Sequence, residues 1–159
     1  MFTIKLCKDN FKFSAAHFTI FDAQRGERLH GHNYYVAVTL TFSQLQPQSA
    51  MTADFHALKS VIAEECELLD EYVLVPKISP HLRVSEANTQ VHITFHQKQY
   101  TFPGEDVRLL PLQNITSEAL AKYLADRLQI RFAGTINLRE MEVTIEETRG
   151  QSASTKVQL

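Results

Sequence analysis

The chain has 159 residues, 44% of them hydrophobic, which is enough for one sizeable core and leaves little for a second domain to fold around. Its net charge is −2 and its lysines and arginines are scattered, so it lacks the basic stripe of a nucleic-acid binder. Cys7 and Cys66 lie far apart and form no C-x-x-C pair, excluding a disulfide framework and a thiolate zinc knuckle, and no apolar run has the length of a leader or a membrane span; a soluble, cytoplasmic protein is expected.

In chain order, Phe2, Ile4 and Leu6 alternate with polar neighbours, Asp9-Asn10 reads as a turn, and Phe11, Phe13 and Ala15 alternate again, predicting a strand or a hairpin. Periodicity disappears from Thr19 to Arg28, which predicts a loop. It returns at Val36, Val38, Leu40 and Phe42 as the clearest strand, followed by a polar connection from Gln44 to Ser49. Asp54 is placed to cap a helix running to about Tyr72, with Phe55, Leu58, Ile62, Leu69 and Tyr72 near helical spacing. Pro76 and Pro80 break the chain. Val91, Ile93 and Phe95, then Tyr100 and Phe102, predict a second hairpin that reads as a peripheral ribbon. A second helix begins near Thr116 or Ser117, carries Glu118 in its first turn, and has Leu120, Tyr123, Leu124 and Leu128 as its apolar stripe. Met141, Val143 and Ile145 predict a last strand. The sum is an α+β fold over residues 1–159, an antiparallel sheet with two helices on one face and a small extra hairpin. The open edges of such a sheet favour pairing with further copies of the chain.

The chemistry concentrates at Glu27-Arg28-Leu29-His30-Gly31-His32-Asn33-Tyr34. On an extended segment His30 and His32 point to one face with Cα atoms roughly 6.6 Å apart, so both imidazoles can meet one ion. His17, at the end of the run Phe11, Phe13, Ala15, can reach the same point from a neighbouring antiparallel strand. Three neutral imidazoles with a fourth position open are the ligand set of a catalytic zinc ion. His92 and His96, about 13 Å apart on a strand, cannot share an ion directly. His56 and His81 read as structural or solvated.

Phe13-Ser14-Ala15-Ala16-His17, Glu27 to Tyr34, Asp54-Phe55 with Leu58-Lys59, Leu69-Asp70, Thr116-Ser117-Glu118 with Leu120-Ala121, and Glu147-Thr148 occur in the order seen in the 6-pyruvoyltetrahydropterin synthase and 6-carboxytetrahydropterin synthase family. The chain resembles that family over nearly its whole length. The resemblance implies a T-fold, a homohexamer of two trimers with active sites at subunit interfaces, and zinc on His17, His30 and His32. It also implies a pterin substrate lined by Thr116 and Ser117 and anchored by Glu147, a carboxylate that can accept the ring N3–H and 2-amino group together. Neither nucleic acid nor membrane is expected as a partner.

Two departures bear on the reaction. The family carries a proton-abstracting cysteine where this chain has Gly26, and a relay histidine after Leu-Asp where it has Glu71. Glu27, in Glu-x-x-His-Gly-His, resembles a branch in which a glutamate replaces that cysteine and the side chain of 7,8-dihydroneopterin is cleaved to 6-hydroxymethyl-7,8-dihydropterin. The expectation is a zinc-dependent pterin lyase acting on dihydroneopterin or its triphosphate. Glu27 would be its acid or base, with Asp70 or Glu71 orienting a water. The alternatives are 6-pyruvoyl- or 6-carboxytetrahydropterin synthase activity, and a non-catalytic zinc- and pterin-binding oligomer.

Overall fold

The computed structural model describes residues 1–159. Alternation of apolar and polar residues produces two long strands, β1 (Phe2–His17) and β2 (His30–Phe42), paired antiparallel. Their inward residues, among them Phe11, Phe13, Tyr34, Val36, Val38 and Leu40, are buried. Asp9-Asn10 is not a turn between two strands. It lies in a bulge where residues 8–11 face only Val36, so β1 continues with its register shifted.

Helix α1 (Phe55–Glu67) starts as expected, with the Asp54 carboxylate accepting the His56 amide hydrogen at 2.8 Å. It ends earlier than the apolar spacing predicts. Leu69 is buried in the turn after the helix, and Tyr72 opens a strand, β3 (Tyr72–Pro76), that runs parallel to β1. Beyond it come β4 (Leu82–Ala87), β5 (Gln90–Phe95), β6 (Lys98–Pro103) and the short β7 (Val107–Leu110), parallel to β3. Helix α2 (Ser117–Arg131) is capped by Thr116, whose hydroxyl accepts the Ala119 amide hydrogen. Two antiparallel strands close the chain, β8 (Leu138–Thr148) and β9 (Gln151–Gln158).

The main sheet has the order β7-β3-β1-β2-β8-β9, antiparallel from β1 to β9 and parallel at its β3 and β7 edge. Both helices pack on one face over a continuous core that includes Phe13, Tyr34, Ile62, Leu124, Met141 and Ile145. No helix is long and apolar enough to cross a membrane. The expected peripheral ribbon is a three-stranded sheet, β4-β5-β6, with its own core: Val91, Ile93 and Phe95 pack on Phe18 and Ile20 of the loop after β1 and on Val75 and Val107. That placement sets this sheet against the segment carrying Glu27.

One charge lies deep between the helices. Glu65 is 1% exposed and accepts hydrogen bonds from Arg127 and Arg131, whose guanidiniums are partly solvated. Removing the cations strands a buried carboxylate, whereas removing the carboxylate leaves guanidiniums that water can reach. The Arg127→Met/Arg131→Met variant is therefore expected to lose about 3–5 kcal/mol in denaturant unfolding, and Glu65→Leu distinctly less.

Candidate metal centre

The register of β1 on β2 places His17 opposite His30 and Ala15 opposite His32. His17, His30 and His32 therefore share the inward side of the sheet at its open end. Their ring centroids are 4.7 to 5.4 Å apart, and their candidate ligand atoms all lie within 4.8 Å of one another. His17 is fully buried, whereas His30 and His32 border solvent.

Two backbone carbonyls settle the tautomers. His17 Nδ1 is 3.1 Å from the Ile115 oxygen and His30 Nδ1 is 2.7 Å from the Arg28 oxygen. A carbonyl only accepts, so in the neutral rings each Nδ1 carries the proton and each Nε2 offers its lone pair. Outer-sphere carbonyls of this kind orient metal-binding imidazoles. Burial lowers the pKa of His17, reinforced by the neighbouring His30 and His32, and outweighs the raising effect of the Ile115 bond and Glu147. The ring is kept neutral, as a ligand must be. On donor type, tautomer and convergence, the three residues fit a zinc ion with one position left open.

Two carboxylates flank the histidines. Glu147 Oε1 lies 3.4 Å from His32 Nε2 and 3.5 Å from His17 Nε2, and accepts a hydrogen bond from the Tyr34 hydroxyl at 3.2 Å. Tyr34 is itself 2.9 Å from His17 Nε2. Burial, with Glu147 alongside, raises the phenol's pKa, so Tyr34 remains a neutral donor with one proton for two acceptors. On the other side Glu27 Oε2 is 3.8 Å from His30 Nε2 and accepts the Thr19 amide hydrogen at 3.1 Å. Burial alone would raise its pKa; the Thr19 hydrogen bonds prevail and lower it. Glu27 thus rests as a carboxylate, ready to accept a proton.

Next to Glu147 lies a cavity of about 210 Å³ bounded by Thr19, Thr116, Ser117, Glu118 and the start of β9. Thr116, Ser117 and Glu147, singled out from sequence, thus line one cleft beside the histidines. Asp70 and Glu71 make their contacts elsewhere. Asp70 Oδ1 accepts the Ser14 amide hydrogen at 2.6 Å, and the Glu71 amide donates to the Ser14 carbonyl at 2.7 Å. Glu71 nevertheless borders, with Gly31, His32 and Tyr72, a wide groove of about 560 Å³. Cys66 is buried and its thiol is pushed up to about 12, chiefly by burial, which makes it a packing residue.

The family model described as 6-pyruvoyl tetrahydropterin synthase matches residues 6–157. The chain belongs to this family. Among curated relatives, a Methanocaldococcus jannaschii protein with the provisional name 6-carboxy-5,6,7,8-tetrahydropterin synthase is 33% identical over 144 residues, covering 89% of this chain and 87% of its own. A Pyrococcus horikoshii protein of the same provisional name is 28% identical over 137 residues, 86% of this chain and 80% of its own. The 6-pyruvoyl tetrahydropterin synthase of Plasmodium vivax superposes with a TM-score of 0.93 at 29% identity, covering 99% of this chain and 98% of that one. Two further structures of the Plasmodium vivax protein, each 28% identical with a TM-score of 0.91, carry alanine or cysteine in place of a glutamate described as a catalytic residue. The α+β T-fold of this synthase family is therefore the fold of the chain, and its family members act on pterins.

Sequence reasoning passed over Tyr34, although its place two residues beyond His32 puts it on the same side of β2. It also passed over the Ile115 carbonyl, which no residue type announces. Because these three imidazoles are the donor set that fits the ion, His17→Ala is expected to lose stoichiometric zinc by metal analysis, while Cys7→Ser and Cys66→Ser retain it. Full zinc in His17→Ala with loss in either cysteine variant would place the metal elsewhere.

Proposed function

We propose that this family member is a zinc-dependent lyase that cleaves the side chain of 7,8-dihydroneopterin, or of its triphosphate, to give 6-hydroxymethyl-7,8-dihydropterin. The observation that carries the reading is an ionised carboxylate, Glu27, beside His30 in a chain with glycine at position 26. A structural relative, the Plasmodium vivax synthase, in which a glutamate is described as a catalytic residue, supports it.

Zinc on His17, His30 and His32 would act as a Lewis acid on the substrate's side-chain oxygens, lowering the pKa of the hydroxyl to be deprotonated. Glu27 takes the proton from the hydroxyl on the second side-chain carbon. A carbonyl forms there as the bond between the first and second carbons breaks, a two-carbon hydroxyaldehyde (or its triphosphate ester) leaves, and the electron pair of the broken bond moves to the carbon attached to the ring. The protonated Glu27 is then the acid that returns a proton to that carbon. Glu147, with Thr116 and Ser117, holds the pterin edge in the cleft, and Tyr34 fixes the carboxylate by donating to it. Glu71, on the groove it shares with His32, orients a water; Asp70 braces the turn through Ser14. A homohexamer of two trimers is proposed for the assembly, supported by the exposed edge strand β9 and by a sheet face that no helix covers. A cytoplasmic location is proposed with it, supported by the two free thiols.

A second reading, 6-carboxytetrahydropterin synthase activity on the triphosphate, is favoured by the provisional names of the archaeal relatives. The same experiment separates the two. Purified zinc-loaded protein is incubated with dihydroneopterin and with its triphosphate, and the products are identified. The expected outcome is 6-hydroxymethyl-7,8-dihydropterin from the wild type and none from Glu27→Ala, with zinc content and pterin binding retained. An active Glu27→Ala, or 6-carboxytetrahydropterin as the main product, would replace the lyase reading with the synthase one.

A further inference from the structure

The sheet β4-β5-β6 has no part in the chemistry described above, yet it is built against the loop that carries Glu27. Residues 18–20 are immobilised first: Phe18 and Ile20 are buried, and the Asn114 side chain accepts the Ile20 amide hydrogen at 3.0 Å and donates to the Ile20 carbonyl at 2.8 Å. Residues 26 and 27 then fasten to this strut. Gly26 bridges Ile20, and the Glu27 amide donates to the Thr19 carbonyl at 2.9 Å while the Thr19 amide donates to the Glu27 carboxylate. Lys98, at the start of β6, donates from Nζ to the Glu27 carbonyl at 3.2 Å. Above the glycine sits Phe95, 1% exposed, with Phe18 packed between it and Tyr100 at centroid distances of 5.8 and 5.3 Å.

Gly26 has no positive φ, so its backbone conformation is not what demands glycine. Space is. A Cβ built there would stand 2.8 Å from Phe95 Cε1, 3.1 Å from Phe95 Cζ and 3.1 Å from the Thr19 carbonyl oxygen. Any side chain at 26 must displace either a ring held in a packed core or the strut to which both the amide and the carboxylate of Glu27 are bonded.

We propose that Phe95 is a positioning residue for Glu27: its ring closes the space over Gly26 and so fixes where the loop presents the Glu27 carboxylate beside His30. This rests on the proposed role of Glu27. It makes the small sheet part of the active-site scaffold, since a carboxylate displaced by even 1 Å costs a large factor in rate.

A double-mutant cycle on the zinc-loaded protein tests it, using Gly26→Ala, Phe95→Leu and the combination. Leucine lacks the Cε1 and Cζ atoms that a Cβ at 26 would meet. Two readouts are followed, hydrogen exchange at the Thr19 amide and the kcat and KM of product formation. Gly26→Ala is expected to speed Thr19 exchange at least about tenfold and to lower kcat by about 10- to 100-fold with KM changed less than about twofold. The double variant is expected to recover slow Thr19 exchange and most of kcat, a rescue that a purely structural Phe95 would not give. Should Gly26→Ala fold too poorly to assay, the Phe95→Leu single variant decides: faster Thr19 exchange with a lower kcat at little-changed KM counts for the proposal, and unaltered exchange and kcat count against it. A double variant worse than either single change, or a Gly26→Ala with unaltered exchange and kcat, overturns it. If the wild type turns over neither pterin, the assigned reaction fails, and the exchange data alone decide whether Phe95 fixes the loop.

Discussion

The pairing of β1 with β2 is the constraint on which the site depends. His17 faces His30 and Ala15 faces His32, so three imidazoles separated by up to fifteen residues in the chain meet at one end of a two-stranded ladder. A slip of one residue would send the histidines of one strand to the opposite face of the sheet. The register is held by the burial of Phe11, Phe13, Tyr34, Val36 and Val38 along the same two strands. The core that stabilises the fold thus also sets the geometry of the three histidines, and the bulge at residues 8–11 absorbs the extra length of β1 before the site begins.

Around that ladder the local electrostatics sort the ionisable groups by role. Burial keeps His17 neutral, and the carbonyls of Ile115 and Arg28 fix which nitrogens of His17 and His30 face inward. The two glutamates are held differently. Glu147 accepts from a buried phenol and borders the cleft with Thr116 and Ser117, a placement suited to binding. Glu27 sits on a loop, ionised and half exposed, tied by one oxygen to the Thr19 amide, a placement suited to moving a proton. Neither thiol belongs to this cluster.

Much of this was legible in the sequence where periodicity reports burial. The alternation in β1, β2, β5 and β8 and the helical stripe of α2 are strong because one face of each element is buried and the other is not. Leu69 and Tyr72 extended the apparent helix because they serve the core from a turn and a strand start, which spacing alone cannot distinguish. β3, β4 and β7 are short runs near prolines, and β9 is an edge strand with no fully buried residue, so none carries a clean pattern. The histidine triad was readable from spacing and residue type. The Ile115 carbonyl and the Phe95 ring were not, because their contacts with His17 and Gly26 join residues far apart in the chain and depend on packing between elements.

The central claim is that three imidazoles alone hold the metal and leave a position for substrate. X-ray absorption at the zinc edge of the loaded protein tests it most directly. The account predicts three imidazole nitrogens near about 2.0–2.1 Å, one further oxygen or nitrogen, and no sulfur. A sulfur shell near about 2.3 Å, or fewer than three imidazoles, would contradict it.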